Sequence, residues 1–426
     1  MERRTFVKSL ATGLAGVEFF AAPRAALPQR LQALSADIHA GPDPRALWSR
    51  VRKEFMIDPE VIHLNCGSVG ATPRLVIDAV TACMLQQETR PAHNALGDGM
   101  EEVRSKAAEF LGAESSEIVL TRNTTEGMNT VASGLGLRAG DEILTTNHEH
   151  AGGTICWQHL ARHKGVKIVQ FEMPAPVESK DQILQLIEDH ITPRTRVCSF
   201  SHVETVTGLQ MPLAAIARIT RPRGILLVCD GAQAPGMLDV DVQALGVDTY
   251  ASSSHKWMLA PKGSGLLYIR KEIQDRIQPL FLYSGYGAYS ASSGTRNVPH
   301  ILGHGVAMDF HNAIGRKRIE ARCRQLCNHL RQRLSALPEL RLLTPVEPAL
   351  SSGIVTFALG KSRNSEVGAR LAGEHSIFVK VVPGTYVVEG GLAQKDFNAL
   401  RFSTHVFNDQ DQIDRTADLI TTLLEG

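Results

Sequence analysis

The sequence predicts an α/β protein: a large domain built on a mostly parallel seven-stranded sheet, followed by a smaller C-terminal α+β domain. Three observations carry that expectation. Strand-like and helix-like segments alternate from about residue 100, the pattern of helices layered on a sheet. Ile225-Leu226-Leu227-Val228 is apolar without polar alternation, which suits a strand covered on both faces. Beyond Pro338 the segments shorten and close on one more helical pattern.

Taken in order, the β-branched or apolar runs at 117–121, 142–146, 167–171, 196–202, 224–230, 248–252 and 265–269 are the seven strands. Helical periodicity fills the gaps at 182–191 and 213–220. After Gly303 one long helix is expected over 311–337, with Ile314, Ile319, Leu326, Leu330 and Leu334 on one side and arginines opposite. Arg316-Lys317-Arg318 then reads as part of a solvated helix face. The last helix spans 410–424. These elements divide the chain into an N-terminal arm (27–75), a large domain (76–305) and a small domain (306–426).

Composition narrows the function. The 426 residues carry 45 Lys+Arg against 44 Asp+Glu, a net charge of +1, so nothing electrostatic favours nucleic acid or an acidic membrane surface. An apolar content of 43% excludes a disordered chain, and no uninterrupted apolar run is long enough for a polytopic membrane protein. Seven cysteines, odd in number and without a CxxC, give neither a disulfide framework nor a zinc ribbon.

Residues 1–26 read as a separate unit. Arg3-Arg4-Thr5-Phe6-Val7-Lys8 precedes a mildly apolar, small-residue stretch, the order of an export signal of the twin-arginine type. A periplasmic location follows as the expectation, with Glu18 inside the apolar stretch as the feature that favours a cytoplasmic alternative.

The chemistry concentrates in two strand ends. The strand Leu226-Leu227-Val228-Cys229 ends in Asp230, and the next ends in Ser252-Ser253-Ser254-His255-Lys256. Ligands of open α/β sheets collect at the carboxyl ends of strands, so both residues can face one crevice. An aspartate and a lysine converging there suit pyridoxal phosphate: the lysine forms a Schiff base and the carboxylate keeps the pyridine nitrogen protonated. Alone, such a pair is more often a structural ion pair. Thr121-Arg122-Asn123-Thr124-Thr125-Glu126 closes a strand and opens a helix, a place for a phosphate, although a plain helix cap would look the same. Asn147-His148-Glu149-His150 lacks zinc spacing, so no metal is expected, and an imidazole stacked on a planar cofactor is the better use. Gly134-Leu135-Gly136 follows a helical pattern and carries no dinucleotide signal, and no GxSxG elbow exists for a serine hydrolase.

Over about residues 50–426 the chain resembles the fold-type I, pyridoxal-phosphate-dependent class V aminotransferase family, and within it the isopenicillin N epimerase-like branch. Asp230-Gly231-Ala232-Gln233 matches the family's D-G-A-Q/H strand end, and Ser253-Ser254-His255-Lys256 its S-G-H-K motif with Ser254 for glycine. The 121–126 segment matches its phosphate loop, and His63-Leu64-Asn65-Cys66-Gly67-Ser68-Val69-Gly70 its Y-L-N-x-G-S-x-G segment. The resemblance implies Lys256 as the Schiff-base lysine and proton shuttle, Asp230 at the pyridinium nitrogen, Gln233 near the phenolic oxygen and His150 stacked on the ring. It implies Thr124, Thr125, Ser253 and His255 on the phosphate, and Arg401 of Arg401-Phe402-Ser403 on the substrate α-carboxylate, with Asn65 and Gly67 nearby. Gly294-Thr295-Arg296-Asn297 resembles a segment that reaches a neighbouring subunit's phosphate, which implies a homodimer with Thr295 in a composite site.

Two departures bear on the reaction. Thr205 stands where the family carries an asparagine close to the cofactor. The desulfurase branch needs a mobile cysteine shortly before the carboxylate arginine, and no cysteine follows Cys327. The resemblance thus implies chemistry at Cα of a small-molecule amino acid, as an epimerase or racemase, with transamination and C–S or β-elimination lyase chemistry as alternatives. A non-catalytic binding protein on this fold is disfavoured by retention of lysine, aspartate, glutamine and arginine together.

Overall fold

A computed structural model describes residues 27–39, 43–89, 91, 98–278, 296–360, 363–382, 386–388, 392–394 and 397–425. The export-signal segment and Thr295 lie outside the described residues. Seven strands form the central sheet: β1 (Ile118–Thr121), β2 (Glu142–Thr146), β3 (Lys167–Phe171), β4 (Thr195–Ser201), β5 (Leu226–Asp230), β6 (Thr249–Ser253) and β7 (Gly265–Ile269). Their spatial order is β1-β7-β6-β5-β4-β2-β3, with β7 antiparallel to both its neighbours and the other pairings parallel.

The uninterrupted apolar run of β5 has the expected cause. Leu227 and Cys229 join the apolar cluster on one side of the sheet, while Leu226 and Val228 join the cluster on the other. Val197 and Cys198 of β4 divide in the same way. Both faces are therefore buried, as helices packed on each side require. Four of the seven strand starts differ from expectation by one or two residues, and one case has a clear reason. Glu117 belongs to a 3₁₀ turn at 115–117, where its carboxylate accepts the amides of Glu114 (3.0 Å) and Lys271 (2.9 Å).

The helices that shape the site are α1 (Thr124–Gly134), α2 (Ala151–Lys164) and α4 (Leu213–Thr220), with α3 (Lys180–His190) between the last two. Beyond the sheet, the single helix expected over 311–337 is two: α5 (Val298–Ile314) and α6 (Arg316–Leu334). Gly315 adopts φ 98°, which no L side chain readily takes, and breaks the helix there.

The C-terminal part holds an antiparallel sheet of β8 (Leu340–Leu342), β9 (Ile354–Leu359), β10 (Lys380–Val382) and β11 (Ala399–Ser403), ordered β10-β11-β9-β8. One face, with Val355, Phe357, Leu400 and Phe402, builds a core with α6 and the last helix, α7 (Gln410–Glu425). The opposite face turns toward the large sheet. The segment before residue 70 joins the two parts: Ile62–His63 pairs with Ile377–Phe378, and Asn65 bridges Ser403. No helix among the described residues is long and apolar enough to cross a membrane.

Candidate active site

The site begins where β1 turns into α1. Asn123 caps the helix by accepting the Glu126 amide at 2.9 Å, and the Glu126 carboxylate accepts the Arg122 amide at 2.8 Å. This capping box fixes Thr124, whose amide and hydroxyl meet Ser253 Oγ at 2.9 and 2.8 Å across from the end of β6. Thr125 is exposed, and its hydroxyl lies within 2.6 Å of where a Cβ on Gly152 would stand. In the turn that follows Ser253, Ser254 Oγ and His255 Nδ1 are buried without a hydrogen-bond partner. Buried polar atoms without partners are costly, so hydroxyls, an imidazole and a helix N-terminus gathered here fit a phosphate.

Deeper in, β5 delivers Asp230, which is 5% exposed. Its Oδ1 accepts the Ala232 amide at 2.9 Å. Its Oδ2 lies 2.7 Å from where a Cβ on Gly153 would stand, so the glycine is what lets α2 come this close. Immediately before α2, His150 caps the helix, its Nδ1 accepting the Gly152 amide at 3.0 Å. That bond leaves the ring proton on Nε2. Burial, and next the Lys256 charge, hold the His150 pKa below its ordinary value and keep the ring neutral. Behind α2, Trp157 Nε1 donates to Ser199 Oγ at 2.8 Å and pins the helix on β4.

Lys256 follows β6 on a tight turn. Its carbonyl accepts the Leu259 amide at 3.2 Å and the Cys66 thiol at 3.7 Å. A Cβ on Gly70 would stand 2.0 Å from that carbonyl, so the 65–70 segment is moulded onto the lysine turn. Burial pulls the Lys256 pKa down to about 8; Asp230 opposes this and Arg401 adds to it.

The substrate end is a single connected network. Gln233 Nε2 donates to Gly67 O (2.8 Å) and Thr205 Oγ1 (3.0 Å), while its Oε1 accepts Trp257 Nε1 at 2.7 Å. Arg401, 3% exposed on β11, donates through Nη1 to Thr205 O (2.9 Å) and Oγ1 (3.0 Å). Through Nη2 it donates to Asn65 Oδ1 and Ser68 Oγ, both at 2.9 Å. Its Nε is buried without a partner, and burial brings its pKa down to about 10. A guanidinium held on its outer edge with a free Nε is prepared for a carboxylate.

The structure thus brings together Lys256, Asp230, Gln233, His150, Thr124, Thr125, Ser253, His255, Asn65, Gly67 and Arg401 around one crevice at the strand ends. Thr205, Ser68 and Trp257 join them without having been picked out for the site by sequence reasoning, and Lys380 opens the segment 380–388 that the sequence suggests as a lining of the substrate side-chain pocket. Trp257 directly follows Lys256 and Ser68 lies inside a quoted motif, so both were open to suspicion. Thr205 had been noticed only as a departure, yet it ties Gln233 to Arg401. His148, one of the histidine pair, serves elsewhere, bonding Glu204 Oε2 at 2.8 Å in the interior.

Residues 71–416 match the family described as aminotransferase class-V. The chain belongs to that family. Pyridoxal 5′-phosphate is the cofactor of the class V fold, and the orphaned polar atoms beside Thr124 and Ser253 suit its phosphate. The chain is 33% identical over 400 residues to an isopenicillin N epimerase of Amycolatopsis lactamdurans, covering 88% of this chain and 98% of the relative. It is also 33% identical over 340 residues to a cysteine desulfurase of Cronobacter sakazakii, covering 74% and 80%. Among solved structures, an apo cysteine desulfurase of Thermococcus onnurineus NA1 superposes with a TM-score of 0.78 at 26% identity, covering 89% of this chain and 98% of that one. Class V chemistry on a small-molecule amino acid is therefore the frame for this crevice.

Proposed function

We propose that this class V enzyme moves a proton at the Cα of an amino acid, as an epimerase or racemase. The observation that carries the reading is the fate of the cysteines around the site. Transfer of sulfur to the enzyme needs an accessible thiolate. Of all seven cysteines, Cys66 alone reaches the lysine turn, and it is fully buried, donates its thiol to Lys256 O and is pushed by burial well above the ordinary thiol range. No cysteine follows Cys327 in the sequence. Similarity to an isopenicillin N epimerase over 98% of its length supports the same reading. Elimination without an enzyme thiol is the second reading, supported by the cysteine desulfurase relative.

The residues divide the work as follows. When bound, pyridoxal phosphate supplies an electron sink for charge developing at Cα. Thr124, Thr125, Ser253 and His255 would hold its phosphate, neutral His150 would face its ring, and Asp230 would keep a proton on its ring nitrogen. Arg401, steadied by Asn65, Ser68 and Thr205, binds and orients the substrate carboxylate. Lys256, with its lowered pKa, takes the Cα proton at Nζ on its own face, and inversion then requires a proton delivered to Cα from the opposite face by a donor other than Lys256.

Proton NMR of the holoenzyme in heavy water with a panel of L-amino acids tests this. Loss of a Cα signal is expected, with the D-enantiomer appearing when the same samples are resolved by chiral chromatography. Keto acid with ammonia and no D-enantiomer would replace the reading with elimination, and keto acid that stalls until an acceptor is added would replace it with transamination.

A further inference from the structure

Lys380 lies directly opposite Arg401 in the β10–β11 pair, and Thr356 of β9 lies opposite Arg401 on its other side. Directly opposed residues of an antiparallel pair project from the same face. That face looks onto the crevice: Thr356 Oγ1 donates to Val206 O at 2.5 Å and Arg401 donates to Thr205. The next row along, Ala358, Ala399 and Val382, closes with Phe397 and Val206 into a small apolar seal. Lys380 therefore stands at the rim of the site, beside the carboxylate arginine and with its side chain exposed. Its charge reaches the site: after burial, Lys256 and Arg401, it adds to the lowering of the His150 pKa, and its own pKa is lowered by partial burial and then by Arg401.

Two like charges directly opposed across a strand pair are unfavourable. Among the described residues no carboxylate forms an ion pair with either Lys380 or Arg401 to offset that repulsion. The α-carboxylate needs only one of them. Arg401 has the planar fork and the fixed mounting for it, whereas a lysine is a flexible point charge that can follow a group of variable reach.

We propose that Lys380 binds a second anionic group on the substrate, a side-chain carboxylate, so that this enzyme prefers acidic amino acids. The inference rests on the proposed amino-acid chemistry of the same site and adds the substrate class. Lys380 is a specificity residue.

The test uses the holoenzyme, with binding of L-glutamate and L-glutamine read from the absorbance of the bound cofactor and KM and kcat measured for each. Glutamate is expected to bind roughly 10-fold more tightly than glutamine, the scale of one charged hydrogen bond. Lys380→Met is expected to remove that preference by weakening glutamate alone, and Lys380→Arg to keep it. Equal affinity for the two amino acids overturns the proposal, as does a Lys380→Met variant that weakens both alike or lowers kcat for both without touching binding. A holoenzyme that responds to neither also overturns it while leaving the cofactor assignment standing. A chain that takes up no pyridoxal phosphate overturns both.

Discussion

Lys256 sits among three opposing influences, and their ranking sets its chemistry. Burial favours the neutral amine most strongly, Asp230 opposes it, and Arg401 adds to it, leaving a pKa of about 8 against the usual 10.5. The neutral amine is the nucleophile that condenses with an aldehyde. Capture of pyridoxal phosphate by the apoprotein should therefore quicken with rising pH, with a midpoint near 8. Removing the positive neighbour in Arg401→Ala moves that midpoint up, and removing the negative one in Asp230→Asn moves it down. Stopped-flow absorbance across pH 6.5 to 10 reads all three profiles. A wild-type rate still climbing at pH 10, as for an ordinary lysine, would contradict the arrangement of charges described for Lys256. The same residue-scale reasoning explains Thr205: a hydroxyl there both accepts from Gln233 and Arg401, so exchanging the family's asparagine for threonine keeps the two anchored to each other.

At the scale of elements, the approach of α2 to β5 is decided by one glycine, Gly153. An alanine at Gly153 would place a methyl 2.7 Å from Asp230 Oδ2, a distance real Cβ contacts do not show, so the carboxylate must shift. In a helix interior the same exchange gains roughly 1 kcal/mol in propensity. Gly153→Ala should thus leave the thermal stability of the apoprotein within about 1 kcal/mol of wild type and speed release of pyridoxal phosphate about 10-fold. Dialysis followed by cofactor absorbance, with circular-dichroism melts, checks both; unchanged retention would mean that Asp230 does not hold the ring. The strands of the large sheet were legible because each is a short apolar run buried on two faces, and β2, β3 and β7 fall on their expected residues. The site was legible wherever it lies in contiguous motifs, as at 230–233 and 253–256. Gly315 was not, because a glycine in an amphipathic pattern looks the same whether its φ is helical or positive. Lys380 beside Arg401 was not either, since their alignment is a matter of strand register between distant segments.

Over the whole molecule, buried ionisable groups give the fold a pH dependence of definite sign. His202, His304 and His405 are fully buried and neutral, with pKa values lowered by burial to about 4, 3 and 3. Unfolded, each would take a proton below its ordinary 6.5. Their stabilisation is thus complete above pH 6.5 and is lost as pH falls toward 4 and 3. Glu149 works in the opposite sense. Burial raises it to about 8 despite bonds from Ser201 and Thr146, so it is protonated in the fold, and its contribution is complete below about 4.5 and lost as pH rises to 8. Between pH 4.5 and 6.5 these four groups together take up more protons on unfolding than they release, so their contribution to stability rises with pH through that window. Between 6.5 and 8 only Glu149 of these four still titrates, and its contribution falls as pH rises. The apoprotein should accordingly be most resistant to urea near pH 6.5, with midpoints at pH 5 and pH 8 both lower and the loss steeper on the acid side. Among the described residues the polar contact of His304 is Met258 Sδ, at 3.2 Å, so His304→Leu removes one titrating group without orphaning a backbone partner among them. In that variant the acid slope should become shallower, because one group that takes up a proton on unfolding is gone. A wild-type urea midpoint that rises steadily from pH 6.5 down to pH 5 would mean that these histidines accept protons inside the fold.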